Sequence, residues 1–224
     1  MSHSCEDEHH EHGGGGGHTP PPDTNASQSL YQHINHDHVR ALNEAEEGMG
    51  RGVFKRWEDR LETSHVLESD VDEQLLIFVP FTGLVRLHSL LVRTANDEQA
   101  PNTLKLFKNR EDLDFSVAAE LAPTAKFEHP YGVGGCAGES VAAGGDEGIA
   151  EYALNRAHFS NIQNLSIFVE DNHGAETTKI LYIGLRGEWS KLSKVPVVTL
   201  YEAAANPKDH KHDVPNQRFV SEDL

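Results

Sequence analysis

From Leu75 onward the apolar residues fall in short extended-chain patterns, and no long stretch carries the three- and four-residue spacing of an amphipathic helix. Leu75 to Phe81 is almost unbroken in apolar character, which suits a strand covered on both faces. Beyond Thr82-Gly83, Val85, Leu87 and Leu91 fall on one side of an extended chain, with Arg86 and His88 on the other. This pattern predicts that Gly83 to Arg93 is the second arm of a hairpin. Leu104 and Leu106 flank Lys105 in the same alternation. Leu165, Ile167 and Val169, then Leu181, Ile183 and Leu185, each line one face of a later strand. Strands joined by polar turns, without alternating helices, argue for an all-β antiparallel sandwich or jelly roll rather than a parallel α/β sheet.

The chain has 224 residues, room for one domain of ordinary size with tails. Residues 1–29 are rich in Gly, Pro, Ser, His and acids, with a glycine block at Gly13 to Gly17. Such a segment buries too little apolar surface to offset its ordering entropy and reads as a disordered leader. Residues 30–205 form the domain, and residues 206–224 read as a flexible polar tail. Leu30, Ile34, Val39 and Leu42 suggest a short helical segment leading into the domain and unravelling near Gly48 to Gly52. Lys126 to Gly148 is a long connection rich in glycine and acids.

Acidic residues outnumber Lys and Arg 36 to 19, for a net charge of −17. That field repels nucleic-acid phosphates and anionic membrane surfaces, and it attracts basic protein surfaces. No stretch reaches the roughly 18 apolar residues of a membrane span, and no apolar signal core stands near the start. Cys5 and Cys136 are the two cysteines, too few and too far apart for a redox or zinc clip. A cytosolic protein is expected, with a nuclear location as the secondary alternative.

Few residues point to chemistry. His3, Cys5, His9, His10, His12 and His18 lie in the leader, where a flexible array offers no fixed coordination geometry. His33, His36 and His38 read as surface or capping histidines. Cys136 sits between Gly135 and Ala137 with no neighbouring cation to lower its pKa, and no Gly-x-Ser-x-Gly elbow occurs. No cofactor, metal or catalytic set is expected. Glu170-Asp171 could serve as a carboxylate pair, but Asn172-His173-Gly174 follows at once and supplies the side-chain bonding and permissive glycine of a chain reversal. Glu170, Asp171, Asn172 and His173 are therefore the candidate protein-binding surface.

The stretch Asn164-Leu-Ser-Ile-Phe-Val-Glu-Asp-Asn-His-Gly174, followed by Glu176-Thr-Thr-Lys-Ile-Leu-Tyr-Ile-Gly184, closely resembles the signature hairpin of the PITH family. Leu84-Val-Arg-Leu-His-Ser-Leu90, Thr103-Leu-Lys-Leu-Phe-Lys-Asn109 and Leu113-Asp114-Phe115 resemble earlier family segments in the same order. The resemblance implies a jelly-roll β-sandwich of galactose-binding-like fold. It also implies association with the regulatory particle of the 26S proteasome, the role of this domain at the C-terminus of a thioredoxin-like protein. No redox dithiol precedes the domain here, so a stand-alone, non-enzymatic interaction module is expected. The fold analogy offers an alternative, a carbohydrate or small-ligand binding sandwich, for which Trp57 and Trp189 are the only available indoles.

Overall fold

The computed structural model describes residues 27–133 and 148–192. The leader up to residue 26, the glycine-rich segment 134–147 with Cys136, and the tail lie outside the described residues. Eight strands are present among them: β1 (Arg40–Leu42), β2 (Leu67–Glu68), β3 (Leu75–Thr94), β4 (Pro101–Lys108), β5 (Ala125–Glu128), β6 (Ile149–Ala153), β7 (Ile162–Asn172) and β8 (Lys179–Ser190). Their order is β2-β8-β3-β7-β4-β5, with β1 and β6 also on β3, and every pairing is antiparallel.

β3 explains how one hydrogen-bonded network makes two layers. Its first limb pairs with β7, from Leu75 opposite Val169 to Pro80 opposite Asn164, and with β1. Its second limb pairs with β8, from Leu84 opposite Ser190 to Thr94 opposite Ile180, and with β6. The register breaks between Pro80 and Val85, where the strand leaves one layer for the other. Pro80 has no N–H to continue the ladder. Gly83 makes the crossing possible, since a Cβ there would collide with the Trp189 indole nitrogen and the Ser190 carbonyl.

Two expected hairpins are accordingly absent. Leu75 to Phe81 and Gly83 to Arg93 do not reverse at Thr82-Gly83: they are successive limbs of the one strand β3, lie in different layers and do not pair with each other. Likewise β7 pairs with β3 and β4, whereas β8 pairs with β3 and β2. The turn at Asn172 to Gly174 is thus an arch between layers. Period-two patterning shows that a strand is half or fully buried but says nothing about which edge it pairs, and both edges of β7 are taken.

The core lies between the layers, where Leu75, Ile77, Val79, Leu165, Ile167 and Val169 meet residues of the second layer such as Leu87, Ile183 and Leu185. Each such burial contributes on the order of 2 kcal/mol. The intervening Leu76 and Phe78 face outward and are covered by Phe107, Leu113, Ala118 and Phe168. The cover is carried by the short helix α2 (Phe115–Glu120), whose N-cap Asp114 accepts from the Val117 N–H at 2.8 Å. This outer layer is why the run from Leu75 is unbroken.

The leading segment differs from the expected weak helix. It makes two short 3-10 turns, Tyr31–His33 and His36–His38, and then β1, while helix α1 (Met49–Gly52) forms where unravelling was expected. The Glu44 carboxylate organises α1 by accepting from the N–H groups of Gly48 at 2.9 Å and Gly50 at 2.7 Å. Gln28 and Ser29, assigned to the leader by composition, run against β8: Gly187 N–H donates to the Gln28 carbonyl at 3.0 Å, and Ser29 bridges Arg186.

Candidate functional site

The β7–β8 arch closes one end of the sandwich, and it binds its neighbours through specific groups. The Thr178 hydroxyl donates to the Glu73 carbonyl at 2.7 Å, and the Thr178 N–H donates to Ser69 Oγ at 2.8 Å. Lys179 N–H donates to the Gln99 carbonyl at 2.8 Å, and His173 N–H to the Ala100 carbonyl at 3.2 Å. The arch therefore gathers the β2–β3 loop, the β3–β4 loop and the segment after β5 at the same end.

All four candidate residues are half-buried and bonded within the chain. Glu170 Oε1 accepts from the buried Lys105 Nζ at 2.6 Å, and Lys105 also donates to the Ala119 carbonyl of α2 at 2.8 Å. Asp171 Oδ1 accepts from the Thr103 N–H at 2.7 Å, at the point where the β4–β7 register shifts and a backbone partner is missing. Asn172 Oδ1 accepts from the Gly174 N–H at 2.9 Å, and its amide donates to the carbonyls of Ala175 and Thr177, each at 3.0 Å. Gly174 sits at φ 118°, a conformation in which a side chain is strained. The His173 ring donates through Nε2 to the His129 carbonyl at 3.0 Å.

His129, which no local pattern singled out, is a buried polar group of this end, at 1% exposure. Its Nδ1 accepts from the Tyr152 hydroxyl at 2.6 Å. Its Nε2–H faces Thr94 Oγ1 at 3.1 Å and the Val133 carbonyl at 3.3 Å, and Thr94 itself donates to that carbonyl at 3.1 Å. One neutral tautomer satisfies all of these contacts. Burial drives the His129 pKa down to about 4 and raises that of Tyr152. The group is a structural clamp across β3, β5 and β6 rather than a proton shuttle.

Elsewhere the pattern is also structural. His36 bonds the Tyr31 carbonyl at 2.9 Å, His38 bonds Asn35 at 3.1 Å, and His33 stacks on Trp189 with centroids 4.5 Å apart. Trp57 is buried beside Leu91 and Tyr182, which removes it from any ligand surface. A cleft of about 450 Å³ includes Arg51, Lys55 and Arg56 against Asp37, Asp59 and Glu62, a balanced set. Lys55 at its floor donates to the carbonyls of Glu62 at 2.6 Å and Leu181 at 3.0 Å, and burial lowers its pKa. Among the described residues no cluster of three or more His, Cys, Asp or Glu is placed to hold a metal. No helix among them is long and apolar enough to cross a membrane.

An antiparallel β-sandwich, closed at one end by an arch and its neighbouring loops, is the class of domain these features define. The chain belongs to the PITH domain family, whose model matches residues 20–205. It is 41% identical over 195 residues to PITH domain-containing protein 1 of Mus musculus, covering 86% of each chain. It is 39% identical over 185 residues to PITH domain-containing protein P35G2.02 of Schizosaccharomyces pombe, covering 82% of this chain and 84% of that one. Among solved structures, it is similar to the CBM32-1 and CBM32-2 domains of Clostridium perfringens ZmpB, with a TM-score of 0.48 and 8% identity. That match covers 70% of this chain and 35% of the other, so the chain spans about a third of that structure. CBM32-3 from a family 31 glycoside hydrolase of the same organism matches with a TM-score of 0.43 and 9% identity, over 74% of this chain and 98% of the other.

Proposed function

We propose that this chain is a non-enzymatic protein-interaction module that docks on the regulatory particle of the 26S proteasome, in the cytosol or nucleus. Membership of the PITH family over residues 20–205 carries the reading, since proteasome docking is what the resemblance of its signature segments implies. The bonding of the arch agrees with it: Glu170, Asp171, Asn172 and His173 hold the loops in shape, leaving the surface around them to make contact. The test is capture of purified regulatory particle on the immobilised full chain at moderate salt. Retention of the particle is expected, and its complete absence from the eluate of a folded protein refutes the partner.

A second reading, a carbohydrate or small-ligand site, has one observation behind it. Trp189 is 37% exposed and stands with Arg86, Asn161 and Glu188 around a groove of about 150 Å³. Stacking against His33 occupies one face of the indole, which leaves little ring for a sugar. A glycan array that stays empty for wild type removes this reading; a hit abolished by Trp189→Ala establishes it.

A further inference from the structure

Two apolar side chains at the arch end are far more exposed than their chemistry favours: Val71 at 81% and Tyr131 at 61%. Neither sits on a loose loop. Val71 lies between Asp70 and Asp72 in a turn pinned to Asn43, which itself sits at φ 65°. Asn43 Oδ1 accepts from the Val71 N–H at 3.1 Å, and Asn43 Nδ2 donates to the Asp72 carboxylate at 2.8 Å and the Gln74 carbonyl at 2.7 Å. The Tyr131 ring rests edge-on against His173, 5.2 Å between centroids, and His173 is tied in turn to His129. A side chain already immobilised loses little further entropy on binding, which is the property of an anchor. Tyrosine is enriched among such anchors.

Charge identifies what these anchors fit. The four loops at this end carry Asp70, Asp72, Glu73, Asp97, Glu98 and Glu176, and the described residues 69–74, 95–100, 129–133 and 173–178 contain no Lys or Arg. Among the nearby lysines, Lys105 and Lys126 share Glu170, at 2.6 Å and 4.0 Å, and Lys179 is paired with Glu68 at 3.1 Å. At the opposite end, where β4 stops and β7 begins, Lys108, Arg110 and Arg156 stand among the acids. The negative field is therefore concentrated around the two exposed apolar groups.

We infer that the arch end is a docking surface for a basic protein surface, with Val71 and Tyr131 as its apolar anchors and the surrounding carboxylates steering the approach. The inference rests on the reading of this chain as an interaction module, and it adds the face used and the chemistry of the partner.

Two measurements on the full chain separate the outcomes. The first is an amide-resolved NMR titration with an amphipathic Lys/Leu peptide as the probe. Shifts are expected at residues 70–73, 97–98, 131 and 174–176; shifts confined to the Trp189 end, or none, overturn the inference whatever the partner. The second is binding to purified regulatory particle by wild type, V71S/Y131S, D70N/D72N/D97N/E98Q and W189S. The apolar double variant is expected to weaken binding by about tenfold or more, and the charge variant to slow association and flatten its salt dependence. W189S is expected to match wild type. Wild-type binding that survives both sets of arch-end changes overturns this surface and leaves the partner standing. Arch-end peptide shifts without any wild-type binding to the particle leave the surface standing and refute the partner.

Discussion

Acidification should unfold this domain in a way that one residue accounts for. His129 is neutral in the folded protein, its Nδ1 accepting from Tyr152 and its Nε2–H facing Thr94 and the Val133 carbonyl, with a pKa driven from 6.5 to about 4 by burial. In the unfolded chain it regains its ordinary pKa. Above pH 6.5 both states are neutral, and the histidine adds no pH dependence. As pH falls from 6.5 toward 4, the unfolded chain takes up a proton that the folded chain refuses, so stability is lost across that window. Most of the loss falls within that window, and below the folded pKa it levels off at about 3 kcal/mol. The assay is urea unfolding at several pH values between 7.5 and 4, on wild type and on His129→Gln. Gln retains a donor toward Thr94 and Val133 but does not titrate, so it is less stable at neutral pH yet lacks this part of the acid loss. The other carboxylates and histidines are common to both proteins and cancel in the difference. Parallel pH profiles for the two proteins would refute the assignment of a buried neutral His129.

Glu170→Gln should destabilise by about 3 kcal/mol because it strands the buried Lys105 ammonium, and the double change Lys105→Met with Glu170→Leu should recover most of that loss; a cost below about 1 kcal/mol in chemical denaturation contradicts the pairing. Ile167→Asp places an unpaired carboxylate at a site of 1% exposure, and the loss of several kcal/mol should leave no cooperative melt by circular dichroism. Gly83→Ala should cost about 1–3 kcal/mol and alter Trp189 fluorescence, since its methyl group meets the indole and the Ser190 carbonyl; an unchanged emission spectrum counts against the crossing geometry. Asp171→Ala should cost about 1–2 kcal/mol, read in the thermal midpoint, because the Thr103 N–H loses its acceptor at the register shift.

Much of the fold was legible because burial alternates along a strand. Leu165, Ile167 and Val169, read as one core-facing set, are at 0%, 1% and 0% exposure. The pairing was not legible, since Leu75 to Phe81 carries apolar residues on both faces and gives no sign that its edges belong to β1 and β7. Nor was α2, whose six residues are too few to show a period. At the candidate site the turn chemistry of Asn172 and Gly174 was readable from local residue types. The partners of Glu170 and His173 were not, because Lys105 lies 65 positions away and His129 lies 44. The exposure of Val71 was equally hidden: the residue is apolar between two acids, and only the bonds from Asn43, 28 positions earlier, show that it is held outward.

A strand that belongs to both layers also governs how this domain comes apart. Because the first limb of β3 is the backbone partner of β7 and the second limb that of β8, neither layer can shed its ladder without freeing half of a strand whose other half is held in the opposite layer. The layers are thus mechanically one unit, and the slowest-exchanging amides of β3 should become exchangeable only when the whole molecule opens. The same strand makes folding a long-range event, since Leu75 must find Val169 and Thr94 must find Ile180 before either layer closes.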